Sequence, residues 1–282
     1  CCDLNQQEVD ELGITVLPLS FTMEGKTYLD TPDHADMSPE TFFQKIADGV
    51  DCTTAAVNVG QFTDAMTSAL TAGKDILCIS FSSALSTTYQ SACIAAEDLR
   101  AEHPEAKIIV IDSLCASMGE GLFVHKAVMM KEEGKSIDEI AAWLEENKLH
   151  VVHNFTVDDL FHLYRGGRVS KTAAVVGSMI NLKPILHVDN EGHLIPLSKV
   201  RGRKKSLIAL VDSMEKQIGA WRDKNDIVFI SHGDSLEDAQ FVAELIKKRL
   251  GIENFLINHI GPTIGAHSGP GTIALFYMGD YR

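Results

Sequence analysis

The stretch DILCISFSSALSTTYQSA, residues 75–92, followed at 107–112 by KIIVID, decides the fold class. DILCISF is a short unbroken apolar run, the pattern of a strand buried on both faces, and the serine-rich segment after it leads into helical spacing from about Ser86 to Arg100. KIIVID repeats the strand, and a second helix is expected from about Met118 to Glu133. Strand, helix, strand, helix is the rhythm of a parallel sheet with helices on its faces. Upstream, ITVLPLSFTM (14–23) reads as a strand, SPETFFQKIADG (38–49) as a helix capped by Ser38 with Glu40 in its first turn, and VGQFTDAMTSALTAG (59–73) as a helix closing at glycine.

Downstream, SIDEIAAWLEENK (136–148) is a further helix bridging to a second half of different pattern. There VVHNFTV reads as a strand, DDLFHLY as a short helix, a helix is expected after Ser170, and PILHVDNEGHLIPL as a hairpin turning at Asn190, Glu191 and Gly192. A helix over 203–221, a strand over 227–231, a helix over 235–250 and strands over 255–260 and 272–278 complete it. The expected architecture is two α/β domains, 1–149 with a parallel sheet and flanking helices and 150–282 as a mixed-sheet α/β sandwich, with a ligand cleft between them. A chain of 282 residues is long enough for two such cores.

Hydrophobic residues make up 45% of the chain, the mean hydropathy is near zero, and no apolar run approaches the roughly 18 residues of a membrane span. The six cysteines all fall within the first 115 residues, with no CxxC pair and no histidine at zinc spacing, so reduced thiols in a cytosol are expected rather than disulfides or a metal site. The chain opens on Cys1, and residues 1–12 already read as turn and helix, so a preceding segment is expected. A net charge of −14 argues against nucleic-acid binding. Charge is unevenly spread: Arg165, Arg168, Lys171, Lys183, Lys199, Arg201, Arg203, Lys204 and Lys205 face only Asp189 and Glu191 in their segment, which is +7 against −21 for the rest. Such an island meets a phosphate or an acidic partner, or is a solvated face with scattered lysines.

Three segments offer polar chemistry where strands pass into helices. SFSSALSTTYQSA places Ser83 and Ser86 at a helix start, where unpaired amides suit an anion, although Ser86 can equally cap its own helix. CTTAAVN (52–58) offers Thr53 and Thr54, and loops at the ends of parallel strands gather where such sheets bind ligands, so Thr54 and Ser86 can face one another. IDSLCASMGEG (111–121) carries Met118 and small residues that suit an apolar wall or ordinary packing. Near the end, GPTIGAHSGPG (261–271) sets His267 in a glycine-rich turn, either wrapping a small group with its amides or satisfied within a tight turn. No G-x-S-x-G, G-x-G-x-x-G or Walker A motif and no tight acidic cluster occurs; GGRVSKT (166–172) lacks the glycine before its lysine. The chain reads as built to hold an anion, without evident machinery to transform it.

TTAAVN followed by GQF, SSALSTTYQSA, DSLCASMGEG, LYRGGRVSK, KPIL with its hairpin, KVRGRKK and GPTIGAHSGPG occur in the order and spacing of the DegV family and span nearly the whole chain, which resembles that family. The resemblance implies two α/β domains with a long-chain fatty acid buried between them. It also implies, for some members, a bacterial fatty-acid-binding subunit that presents the carboxylate to a separate ATP-binding kinase subunit for acyl phosphate formation, with no cofactor of its own. By similarity Thr54, Ser86 and His267 match the carboxylate-binding positions with Ser83 nearby, and Arg168 and Arg201 match arginines that dock the kinase subunit; with such a ligand, the apolar wall read at Met118 is expected to line the acyl chain. Two departures stand out: Ala55, Ala56 and Val57 replace the family's Ser-Gln-Pro, and its first strand, ending in Asp-Ser, is absent before Cys1. The competing readings are an acyl hydrolase or transferase using Ser86 with His267 as base, which needs a third group orienting the histidine, and a small-molecule sensor with a pocket too short for an acyl chain.

Overall fold

The computed structural model describes residues 2–170 and 182–282, so Lys171 and the helix expected after Ser170 lie outside the described residues. The first helix, α1 (Gln6–Leu12), is fixed by a capping box in which Asn5 Oδ1 accepts from the Glu8 amide while Glu8 reaches back to the Asn5 amide. An antiparallel sheet follows, with β1 (Leu19–Met23) between β2 (Lys26–Asp30) and β3 (Cys52–Ala55). The strand expected over 14–23 thus starts only after Pro18, whose ring removes the amide a ladder would need. Between β1 and β2, Glu24 and Gly25 both have positive φ (50° and 78°), the conformation that folds a two-residue hairpin. Helix α2 (Pro39–Ala47) buries Phe42 and Phe43 against β1.

The expected parallel pair is present as β4 (Ile76–Ser80) and β5 (Ile108–Asp112), in register from Ile76 opposite Ile108 to Ser80 opposite Asp112. Helix α4 (Thr88–Glu102) makes the crossover and packs Ala92, Ala95, Ala96 and Leu99 against Phe62, Met66 and Leu70 of α3 (Val59–Thr71). Small alanines let the two helices approach closely, which is why α4 shows little apolar face in the sequence. Helices α5 (Met118–Glu132) and α6 (Ile137–Asn147) complete the first domain. Its parallel component is two strands, and the remaining three form the separate antiparallel sheet.

The second domain is a six-stranded mixed sheet in the order β10-β9-β11-β6-β7-β8. Its strands are β6 (Val151–Thr156), β7 (Leu182–Val188), β8 (Leu194–Arg201), β9 (Val228–His232), β10 (Phe255–His259) and β11 (Ile273–Met278). Among the described strands of this sheet only β9 and β10 run parallel. Helices α8 (Arg203–Gln217) and α9 (Leu236–Leu250) cover one face, where Leu275 and Tyr277 meet Leu210, Val211 and Met214. On the other face α5 of the first domain packs against Phe276 and Met278. Two short helices, α7 (Leu160–Arg165) and α10 (Pro262–Ser268), close the end of the sheet.

That arrangement corrects the placement of Met118. Its side chain is fully buried at the start of α5 in the shared core. Met118→Ala is therefore expected to lower the unfolding free energy by about 2–5 kcal/mol, read from urea denaturation. A loss below about 0.5 kcal/mol would mean that the core does not depend on it.

Candidate functional site

The segment expected as a glycine-rich turn around His267 is in fact the short helix α10, started by Pro262 in its first turn and ended by Gly269 at φ 77°. Its spacing puts Thr263, Ile264, His267 and Ser268 on one side, and these four, with Ile260 just before the helix, line a cavity of about 470 Å³ between the two domains. Two glycines make the packing possible. A Cβ on Gly265 would fall 2.7 Å from Phe42 Cε1, and one on Gly166 would fall 2.1 Å from His267 Nδ1.

From the other domain, β3 carries Thr54 to the same place, and Thr54 Oγ1 lies 2.9 Å from His267 Nε2 across 213 residues of sequence. Ser86 also lines the cavity, in the connection from β4 to α4. The helix opens at Thr88 rather than Ser86; Ser86 Oγ accepts from the Thr88 amide at 3.2 Å and lies 2.9 Å from Thr88 Oγ1. Ser83 sits on the rim, exposed, its amide donating to Asp112 Oδ1 at 3.2 Å. Much of the remaining wall is apolar, with Phe155, Leu163, Val188, Leu194, Ala274 and Phe276 beside the polar Ser117, His153 and Thr272. Met118 is not part of it. A larger cavity of about 620 Å³ lies between residues 12–17, β4, α3 and α5, but it holds none of Thr54, Ser86 and His267, so the candidate site is the smaller one.

Electrostatics favour an anion. Among the described residues Arg168 is the one Asp, Glu, Lys or Arg side chain lining the cavity. The docking role that the resemblance implies calls for an exposed side chain; Arg168 is half-buried instead, with Nε and Nη2 donating to the Leu85 carbonyl at 3.2 and 2.9 Å and Nη1 to the Gly166 carbonyl. A guanidinium so deep needs acceptors for its donors, and the Ser86 loop supplies one. Burial, then the Arg168 charge, pushes the His267 imidazole down to about 4, so it is neutral at pH 7. Its Nδ1 is buried without a hydrogen-bond partner among the described residues, and Ser86 Oγ bonds Thr88 rather than His267. The orienting group that a serine nucleophile and histidine base require is therefore missing from the hydrolase arrangement among the described residues.

The basic island is partly neutralised. Lys183 pairs with Asp158 at 2.6 Å and Arg203 with Asp238 at 2.7 Å, while Arg201, at the end of β8, is exposed and outside the cavity lining. Sequence reasoning missed Thr263, Ser268, Phe155 and Phe276 as wall residues. The i, i+3, i+4, i+7 spacing from Ile260 and the alternation within β6 and β11 were the available signals. No cluster of metal-ligating side chains occurs among the described residues, and no described helix is long and apolar enough to cross a membrane.

The family model described as "Uncharacterised protein, DegV family" matches residues 1–280. The chain belongs to the DegV family. A DegV domain-containing protein of Clostridium perfringens is 42% identical over 280 residues, covering 99% of this chain and 95% of that one. One from Lactococcus lactis is 37% identical, covering 97% of this chain and 93% of that one. Among solved structures, a DegV-family protein of Thermus thermophilus described for its fatty acid binding superposes with a TM-score of 0.85 at 29% identity, covering 99% of this chain and 96% of that one. DegV of Bacillus subtilis, described as a fatty acid binding protein, gives 0.80 at 26% identity with the same two coverages. The fold is shared as well with the fatty acid kinase B3 protein of Streptococcus pneumoniae, solved with linoleic acid, at a TM-score of 0.83 and 22% identity over 93% of this chain and 90% of that one.

His267 makes the stability of the protein depend on pH in a defined window. Because its folded value of about 4 lies below the ordinary 6.5, the unfolded chain binds the proton first; the contribution is complete above about 6.5 and is lost as pH falls towards 4. The difference in unfolding free energy between wild type and His267→Gln is therefore expected to shrink in favour of the variant between those pH values, measured by denaturant titrations. A pH-independent difference would show that the imidazole is not held neutral.

Proposed function

We propose that this DegV protein is a fatty-acid carrier that buries the acyl chain between its two domains, parted at 149/150, and presents the carboxylate to a separate ATP-binding kinase subunit for acyl phosphate formation. The observation that carries the reading is the cavity itself: a largely apolar space lined by Thr54, Ser86 and His267 from both domains, with Arg168 as the one Asp, Glu, Lys or Arg among its described wall residues. Burying about 15 methylenes at roughly 0.8 kcal/mol each amounts to about 12 kcal/mol before ordering costs, so the tail supplies affinity. The polar end spares the carboxylate an uncompensated desolvation and fixes which oxygen faces a phosphoryl donor. Relatives described as fatty-acid-binding proteins support the ligand class.

Among the described residues no nucleophile with an oriented base accompanies this site, which favours a carrier over an enzyme acting alone. Exposed Arg201, outside the cavity and free of the pairings that hold Lys183 and Arg203, is the docking residue for an acidic or phosphate-bearing surface of the kinase subunit. The free thiols fit action in the cytoplasm.

Lipid extracted from the purified protein should be a fatty acid of roughly 14 to 18 carbons, identified by mass spectrometry. His267→Ala and Ser86→Ala should release it more readily while melting cooperatively, and release of no lipid from wild type would end the carrier reading. Arg201→Glu should abolish acyl phosphate formation in a reconstituted pair yet leave fatty-acid binding unchanged. Full activity of that variant, or ATP turnover by the wild-type protein alone, would remove the docking role.

A further inference from the structure

Helix α10 carries His267 yet has no cap of its own. Its N-cap is Gly261, which has no side chain to offer the free amides of the first turn, and Pro262 has no N–H to satisfy. The acceptors come from the first domain instead. Asp30 Oδ2, at the end of β2, accepts from the Thr263 amide at 3.0 Å, and Asp3 Oδ1, just before α1, accepts from the Gly261 amide at 3.1 Å. The two bonds span 233 and 258 residues of sequence.

Space, not conformation, accounts for glycine at this N-cap. Its φ of −66° and ψ of 159° suit any residue, but a Cβ there would fall 2.9 Å from Asp30 Oδ1 and 3.1 Å from Asp3 Oδ1. A serine or aspartate able to cap α10 from within would collide with the carboxylates that cap it from outside. A helix of seven residues is marginal by itself, and carboxylates beside its first amides stabilise it through hydrogen bonds and the helix dipole. α10 therefore takes its order from the first domain. Asp30 is in turn fixed by the β1–β2 ladder, where it pairs with Leu19, a residue of the cavity wall.

Resting on the carrier reading, we propose that Asp30 is a positioning residue for the ligand site: by capping α10 from the other domain, it sets where His267 stands relative to Thr54 and the fatty-acid carboxylate. Asp30 does not line the cavity, so it acts through the helix and not on the ligand. The amide it holds belongs to Thr263, four residues before His267 and so one turn away on the same side of α10. Without the cap the start of the helix is freed and the imidazole moves with it, while the apolar wall stays as it is. Asp3 holds Gly261 in the same way but also accepts from the Ser117 hydroxyl, which makes Asp30 the cleaner position to change.

The test measures the rate at which radiolabelled palmitate is released to excess albumin. Asp30→Ala should release it about fivefold or more faster than wild type, the size of a lost cap, whereas Asp30→Asn, which keeps an acceptor, should stay within about twofold. In a His267→Ala background Asp30→Ala should add less than about twofold, because the residue acts through the histidine; a general loosening of the fold would add its full effect there. Asp30→Ser, whose hydroxyl stops short of the Thr263 amide, serves where Asp30→Ala does not fold and should give the same pattern. A further readout needs no variant: the Thr263 amide of the wild-type protein should be protected from hydrogen exchange in NMR spectra. Release at the wild-type rate without the Asp30 carboxylate, an undiminished effect in the absence of His267, or an unprotected Thr263 amide would overturn the inference while the carrier reading stands. If the wild-type protein retains no palmitate, both fail.

Discussion

The 2.9 Å contact between Thr54 Oγ1 and His267 Nε2 joins the antiparallel sheet of the first domain to the last short helix of the second, and the site depends on it. Burial and the neighbouring Arg168 keep the imidazole neutral, so only one ring nitrogen carries a proton. Nδ1 packs against Gly166 with no hydrogen-bond partner among the described residues. A bare lone pair is better tolerated there than an unsatisfied N–H, which favours the proton on Nε2. In that tautomer Nε2–H donates to Thr54, and the Thr54 hydroxyl proton is free for a carboxylate, which can only accept. A larger residue at position 166 would displace the ring and with it the polar end of the cavity.

The rest of the fold serves to hold that contact in place. Helix α5 starts in the first domain yet packs on the sheet of the second, so the two domains share one core through Phe123, Phe155 and Phe276. Arg168 adds a clasp by donating to the Leu85 carbonyl, which fixes the loop that carries Ser86. Ser82 does the same from the other side, donating to the Gly192 carbonyl at the tip of the β7–β8 hairpin at 3.0 Å. Three loops that a sequence reading treats as separate are thereby one rigid rim around the apolar cavity.

What the sequence disclosed follows from which interactions are local. β4, β5, β9 and β11 were legible as unbroken apolar runs, although only β9 and β11 are buried along their whole length while β4 and β5 are mostly half-buried; helix ends were legible where capping residues such as Asn5 and Ser136 act within three positions. The start of β1 and the strand nature of Cys52–Ala55 were hidden, since pairing with a distant strand leaves little trace in a polar segment like CTTA. Thr54, Ser86 and His267 were each visible as polar groups in their own segments, and the family resemblance joined them into one carboxylate site; no local pattern announces a bond spanning 213 residues. Met118 and Arg168 went astray for the opposite reason. An apolar residue beside a site can face the core instead of the ligand, and a guanidinium can be drawn inward by backbone carbonyls that only the folded chain assembles.

The most direct test of the central claim is a carbon-13 NMR titration of the protein loaded with palmitate labelled at its carboxyl carbon. If Thr54, Ser86 and His267 hold the carboxylate between the domains, the bound resonance should differ from that of the free acid, stay ionised as the pH is lowered through the range in which free carboxylic acids titrate, and shift in Thr54→Val. A bound resonance that titrates like the free acid and is unmoved in Thr54→Val would place the headgroup in solvent and contradict the account.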